Sequence, residues 1–377
     1  MIPYSRQHIT KDDIRAVSAA LRAPSITQGP AIEAFEQSLI RATGAKYAVA
    51  FSSGTAALHA AYAALGLKKG DEIITTGLTF AATASMMLAL ELKPVFADID
   101  AQSGTLDPEA VEKKITKRTR AIVAVDYAGR PVDIDALRKV ARKHKLVFIE
   151  DGAQSLGASY HKKRVGSQAD MTMFSFHPVK SITTGEGGAI ATDTEVYAKR
   201  MRRFRTHGIT KDRSEMKRRD KAAWYHEMLD FGFNYRLTDI QAALGVSQMK
   251  RLRSHVQKRK ALADRYFKLL KNIKGLELPA QDDAIIKSAW HLFPIRVAPE
   301  MRDRIFTKLR AKGIGVQVHY VPVYMHPYYA NLGYKRGTCP KTEVYSASEI
   351  SIPLYPTLSK KEQDYVVSAL KNILASL

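Results

Sequence analysis

Cysteine is all but missing from this chain: Cys339 stands alone among 377 residues. One thiol excludes an internal disulfide framework and any metal cluster built on several cysteines. Long apolar runs are missing as well. The longest, such as 79–90 (TFAATASMMLAL), fall well short of the roughly 20 residues that a membrane-crossing helix needs. The opening MIPYSRQHITKDD has no apolar core of the signal-peptide kind, so a cytoplasmic protein is expected. There is no internal repeat and no low-complexity tract. Acids are the scarce charge: 37 Asp and Glu face 59 Lys and Arg, for a net charge of +22. The excess gathers in 199–221, where eleven basic residues face three acids, and in 250–260 (KRLRSHVQKRK). Such runs can neutralise nucleic-acid phosphates. No aromatic residue interrupts 250–260 and no nucleic-acid-binding motif is present, so a solvated basic face is expected, or a field that attracts a phosphorylated small substrate.

What is present is a rhythm. Short β-branched runs at 47–52, 72–76, 94–98, 120–126 and 146–150 alternate with helical stretches at 55–65, 81–91, 107–116 and 133–143. Strands that alternate with helices imply βαβ units and a mostly parallel sheet covered on both faces. The strand runs are nearly all apolar, as doubly covered strands should be. DMTMFSF and GGAIATD add two more strands around residue 180. From Thr238 a single helical pattern runs to about 273, long enough to lead out of one domain. Beyond it the elements are fewer and mixed: strand 290–297, helix 301–311, strand 314–319, a Pro/Tyr-rich loop 320–338 and helix 359–376. The expected division is a large domain over 1–250, with an N-terminal arm, and a small α+β domain over 251–377.

Ligands of parallel α/β sheets gather at the carboxyl ends of the strands. Ser52-Ser53-Gly54-Thr55 follows the first strand and opens a helix, where free backbone N–H groups can receive an anion; an ordinary N-cap would look the same. Thr79-Phe80 follows the second strand, and Phe80 can cover a flat ring or fill core. Glu150-Asp151-Gly152-Ala153-Gln154 follows the fifth, offering either a helix cap or a carboxylate for a bound cation. Lys180 is different. It lies in FSFHPVKSITTGEGG (174–188), near Ser175 and His177 and before Gly185, Gly187 and Gly188. Partial burial lowers a lysine's pKa and frees its amine to react with a carbonyl. A phosphate seat, a ring cover, an acid for a pyridine nitrogen and an amine for an aldehyde together match pyridoxal phosphate. No metal site is expected.

The ordered set SSGTAAL, GLTFAATA, VDYAG, IEDGAQSLGA, FSFHPVKSITTGEGG, THGI, GFNYRLTDIQAALG and VHYVP resembles the DegT/DnrJ/EryC1/StrS nucleotide-sugar aminotransferases, over essentially the whole chain. The resemblance implies a fold-type-I (aspartate-aminotransferase-like) α/β homodimer with active sites at the subunit interface. It implies that Lys180 carries pyridoxal 5'-phosphate, with pyridoxamine phosphate as the alternate form. Asp151 would pair with the pyridinium nitrogen, Gln154 would lie at the ring hydroxyl and Phe80 against the ring face. Gly54, Thr55 and Ser175 would bind the phosphate, with Asn234 entering from the neighbouring subunit. Tyr4, Ser25, Thr27, His319 and Tyr320 match substrate-facing positions. Some relatives carry histidine in place of the lysine and are dehydratases; Lys180 is retained here, which favours transamination. The branch most resembled passes an amino group from L-glutamate to C4 of a UDP-4-keto-6-deoxy-N-acetylhexosamine on the way to pseudaminic acid. Sister enzymes on a UDP-4-keto-pentose or a GDP- or dTDP-4-keto-6-deoxyhexose remain the near alternative. A cofactor-binding regulator or basic nucleic-acid-binding protein is the distant one.

Overall fold

A computed structural model describes residues 1–218 and 222–376; Arg219, Asp220 and Lys221 of the basic run, and Leu377 of the expected small domain, lie outside the described residues. Among the described residues, seven strands build the main sheet: β1 (Tyr47–Phe51), β2 (Glu72–Thr76), β3 (Lys93–Ala97), β4 (Thr119–Val125), β5 (Val147–Asp151), β6 (Met171–Ser175) and β7 (Gly188–Thr192). They lie in the order β1-β7-β6-β5-β4-β2-β3. β7 runs antiparallel to both of its neighbours, and the other pairings are parallel. The period-2 rule places alternate side chains on opposite faces. Val49 and Phe51 accordingly pack into one core and Ala48 and Ala50 into the other.

The longer helices of this part, among the described residues, are α1 (Lys11–Leu21), α2 (Pro30–Thr43), α3 (Gly54–Ala64), α4 (Ala81–Leu88), α5 (Ile134–His144), α6 (Glu195–Phe204) and α7 (Asp239–Met249). Alanine-rich α3 supplies Ala57, Leu58 and Ala61 to the first face, joined there by Ala198 and Met201 of α6. Phe35 and Leu39 of α2 and Ala242 of α7 cover the other. Asp239 does two jobs: it opens α7, and its carboxylate accepts from the N–H groups of Gly29 (2.7 Å) and Ala31 (2.9 Å), supplying the cap that Gly29 cannot give α2.

The helix expected over 238–273 is two helices. α7 ends at Met249 and α8 (Leu252–Leu270) begins after Arg251, whose ψ is near 0°. No proline or glycine marks the break. It coincides with the Arg251 guanidinium being drawn onto the buried Asp13 of α1, at 2.5 Å. Leu252 packs into the large-domain core, whereas Ala263, Tyr266 and Leu270 of the same helix pack into the C-terminal one.

That second core surrounds an antiparallel pair, β8 (Phe293–Arg296) and β9 (Glu349–Ile352), with α9 (Pro299–Ala311), α10 (Pro340–Ser348) and α11 (Lys360–Ala375). The strand expected over 314–319 does not form. Ile314 and Gln317 make only isolated bridges, to Ile2 and Ser351. Gly315 instead lets the N-terminal arm pass, its N–H donating to the Ile2 carbonyl at 2.7 Å. Its missing Cβ leaves room that would otherwise clash with Ile2 and Tyr4 backbone. The expected loop 320–338 holds a short helix, Pro327–Asn331, and the expected helix 107–116 shrinks to Pro108–Glu112. The basic run 199–221 is partly structural rather than solvated: Arg205 donates to Glu36 and to the Ala50 carbonyl, both at 2.6 Å.

Candidate active site

At the carboxyl end of β1 the chain turns into α3. Ser53 is the N-cap, its hydroxyl accepting from the Ala56 N–H. Gly54 and Thr55 occupy the first turn, where N–H groups have no partner within the helix. Ser175, the last residue of β6, abuts Gly54: a Cβ at Gly54 would lie 3.2 Å from the Cβ of Ser175 and 3.3 Å from its hydroxyl. Free N–H groups at a helix start beside small hydroxyl residues make a seat for a dianionic phosphate. Gly188 on β7 supports the seat from below. A Cβ there would stand 2.5 Å from the Ser53 carbonyl oxygen and 2.6 Å from the Gly54 nitrogen. The glycine-rich turn after Lys180 thus gives room to the chain's own phosphate-facing turn.

Asp151 ends β5 and is buried. One carboxylate oxygen accepts from the Thr83 hydroxyl at 2.7 Å and the other from the Ala153 N–H at 3.2 Å. Thr83 is itself bonded to the Thr79 hydroxyl at 2.8 Å. Burial raises the Asp151 pKa, while Thr83, the Ala153 N–H and Lys180 pull it back. Lys180 therefore offsets the desolvation of this carboxylate only in part. Three residues on, the Gln154 carbonyl accepts from the Ala128 N–H (2.7 Å) and its amide donates to the Tyr320 hydroxyl (2.9 Å). Phe80 is 63% exposed at the cavity mouth, its ring 6.3 Å from that of Tyr320. An exposed aromatic on the wall of a cavity that Asp151 also lines is an odd place for core, and a fitting one for a ring cover.

Lys180 lies between β6 and β7, half-buried, its backbone N–H donating to the His177 carbonyl at 2.9 Å. Burial lowers its ammonium to about 8; Asp151 opposes that and Arg259 reinforces it. His319 is held neutral, its pKa brought down to about 3 by burial and by Lys180. Its ring Nδ1 pairs with Ser351 at 2.9 Å, and its backbone N–H donates to Glu349 at 2.7 Å.

A cavity of about 460 Å³ brings together Tyr4, Gly54, Thr55, Phe80, Asp151, Gln154, Ser175, Lys180, His319 and Tyr320. Three expected residues do not line it. Thr27 is bridged to Thr238, and the neighbouring Ile26 carbonyl accepts from the Asp239 N–H, so Ser25 and Thr27 sit at the junction with α7. Asn234 is bridged to Thr206. Sequence reasoning missed Thr83 and His291, which also line the cavity. Thr83 could have been found, since Thr79 and Thr83 stand one helical turn apart at a strand end. His291, inside the apolar run AWHLF, carries no such signal; it is buried with its Nδ1 unpartnered.

The donor set fits pyridoxal phosphate: a neutral-capable amine, a buried carboxylate, an anion seat at a helix start and an aromatic at the mouth. Residues 7–371 match the DegT/DnrJ/EryC1/StrS aminotransferase family. The UDP-4-amino-4,6-dideoxy-N-acetyl-beta-L-altrosamine transaminase of Campylobacter jejuni is 37% identical over 381 residues, which cover 99% of this chain and 98% of that one. Helicobacter pylori PseC, an aminotransferase involved in the biosynthesis of pseudoaminic acid, superposes over the full length of both chains with a TM-score of 0.93 and 34% identity. A sugar aminotransferase of Streptococcus pneumoniae, Spr1654 in its PMP form, does so with a TM-score of 0.94 and 31% identity. The architecture is fold type I, and this chain belongs to the DegT/DnrJ/EryC1/StrS family as a pyridoxal-phosphate-dependent sugar aminotransferase.

Proposed function

We propose that this chain transfers the amino group of L-glutamate to C4 of a UDP-linked 4-keto-6-deoxy-N-acetylhexosamine, as UDP-4-amino-4,6-dideoxy-N-acetyl-β-L-altrosamine transaminase does for pseudaminic acid, and that it works in the cytoplasm. The observation that carries the reading is end-to-end similarity to the Campylobacter and Helicobacter enzymes, joined to a cavity that opposes Lys180 and Asp151.

Pyridoxal phosphate, when bound, would supply an electron sink and the carbonyl that a transamination needs. The chain supplies the rest. Gly54, Thr55 and Ser175 would hold the phosphate by backbone N–H groups and hydroxyls. Asp151 would keep a proton on the pyridine nitrogen, and Thr83 aims that carboxylate. Phe80 would cover the ring, and Gln154, tied to Tyr320, would lie on its hydroxyl side. Lys180, about half of it free amine at pH 8 on its own, removes the donor's Cα proton and later delivers one to the sugar C4 from the same face. Tyr4, His319 and Tyr320 form the sugar-facing wall; neutral His319 can accept a hydroxyl proton without repelling Lys180. The +22 charge favours capture of an anionic UDP-sugar.

The sugar assignment is tested by turnover of the purified enzyme on a panel of UDP-, dTDP- and GDP-linked 4-keto-sugars with L-glutamate. The UDP-N-acetyl substrate is expected to lead by at least about tenfold in kcat/KM, since a site built to bond an N-acetyl group rejects sugars that leave it unpaired. A flat profile, or a lead by a dTDP- or GDP-sugar, would transfer the assignment to a sister activity.

The site is completed in a homodimer, Asn234 reaching the partner's phosphate seat; its absence from the cavity of its own chain supports this. Lys180→Ala and Asn234→Ala proteins, each impaired alone, are expected to regain activity when mixed and re-associated. Random pairing restores about a quarter of the sites, because only mixed dimers hold one intact site. Recovery absent from such mixtures would place the whole site within one chain.

A further inference from the structure

The basic stretch 250–260 conceals one arginine that never meets solvent. Arg259, on α8, is 1% exposed and heads the large side chains that are fully buried. Among the described residues no carboxylate pairs with it. Its guanidinium donates instead to four backbone carbonyls. Nη1 reaches Leu354 at 2.8 Å, His291 at 3.1 Å and Trp290 at 3.3 Å, and Nη2 reaches Val179 at 3.2 Å. A buried cation without a counter-ion is costly, and hydrophobic residues of similar volume usually serve a structural position better. Keeping the charge here therefore calls for a reason other than packing.

The acceptors indicate the reason. Val179 is peptide-bonded to Lys180. His291 lines the cavity. The Leu354 N–H donates to the carbonyl of Tyr4, another lining residue, at 3.0 Å. The peptide joining Val179 to Lys180 is held on both sides: its carbonyl by Arg259, with the Ser5 hydroxyl at 3.4 Å, and its N–H by the His177 carbonyl at 2.9 Å. Arg is suited to such a task because its planar fork can serve several acceptors at once.

We propose that Arg259 is a positioning residue for Lys180: it fixes the peptide that carries the lysine, and its uncompensated charge behind the site disfavours the lysine's protonated form. The use of that amine in catalysis rests on the function proposed above; the arrangement itself does not. Burial leaves Arg259 charged, with a pKa lowered only to about 10. Its effect on Lys180 has the required sign, working with burial and against Asp151. Of the other titratable groups that line the cavity with Lys180, Asp151 and Glu186 are acids, His177, Tyr4 and Tyr320 complete the set, and His291 and His319 are both held neutral by burial.

The test begins with the cofactor-free protein. Trinitrobenzenesulfonate is applied across the pH range, and the rate of Lys180 modification is read by peptide mass spectrometry. Arg259→Met is expected to raise the midpoint of that titration by roughly one pH unit, because a neighbouring cation is removed. Arg259→Lys keeps the charge and is expected to keep the midpoint. It should lower kcat of the loaded enzyme about tenfold at unchanged KM, because one ammonium cannot hold four carbonyls in place. Wild-type midpoints in both variants, with wild-type kcat, would reduce Arg259 to a buried filler and overturn the proposal. If circular dichroism shows that Arg259→Met does not fold, Arg259→Lys decides alone: a lowered kcat at constant KM upholds the role, and wild-type kcat removes it. A shifted midpoint in a chain that never binds pyridoxal phosphate would uphold the arrangement while sinking the functional reading. A wild-type midpoint in an active transaminase would do the reverse.

Discussion

Lys180→Ala is expected to lower turnover by roughly a thousandfold or more, since general acid–base catalysis by a placed side chain alone is worth about 10²–10⁴. The same variant should lose the visible absorption band expected of the wild-type protein with pyridoxal phosphate, and the bleaching of that band by L-glutamate. The loss is chemical and not structural. Lys180 is half-buried in a loop held by backbone bonds, from its own N–H to His177 and from the Thr184 N–H to the Phe176 carbonyl at 3.0 Å. Neither depends on the lysine side chain. Alanine also removes a desolvated ammonium, so the melting temperature of the cofactor-free variant should match or exceed that of the wild type. The decisive comparison is the absorption spectrum of both proteins before and after L-glutamate. A glutamate-bleached band surviving in Lys180→Ala would assign the amine to another residue. A band in neither protein, with pyridoxal phosphate supplied, would contradict the cofactor.

The sheet was open to sequence reading because doubly covered strands must be apolar throughout, and their runs are hard to mistake. YAVAF, EIITT and TRAIVAV fall within a residue or two of their expected places for that reason. Lys180 and Asp151 were legible because polar residues directly after such runs occupy the one sheet end where ligands bind. What escaped depends on contacts distant in sequence. The break between α7 and α8 is tied to a partner more than two hundred residues away, Asp13, and nothing local announces it. The 314–319 run has a strand's composition, but Gly315 yields its pairing to the N-terminal arm. Arg259 was hidden by its neighbours. In KRLRSHVQKRK each cation looks solvated, and only the fold turns one of them inward.

Asp151→Asn separates catalysis from stability at a single atom. Asn can still accept from Thr83, so the wall of the cavity should keep its shape. What is lost is the negative charge that holds a proton on the pyridine nitrogen, and turnover should fall by about a hundredfold to a thousandfold, the usual cost of deleting one preorganised electrostatic group. The stability of the cofactor-free protein should move the other way. Asp151 has a raised pKa, with burial as the chief cause, so the folded state binds its proton more tightly than the unfolded chain does. A carboxyl of that kind contributes most at low pH, and stability drains away as pH climbs from its ordinary range through the raised value. Asn carries no such titration. Thermal melts of the two cofactor-free proteins should therefore nearly coincide in acid, with Asp151→Asn pulling ahead as pH approaches neutrality. Added pyridoxal phosphate should narrow that gap, because a protonated ring nitrogen gives the wild-type carboxylate a further cation and gives asparagine no such pairing. Melts that keep a constant offset at every pH would show that Asp151 is not strained by its burial. Turnover unchanged in the variant would show that its charge does not serve the ring.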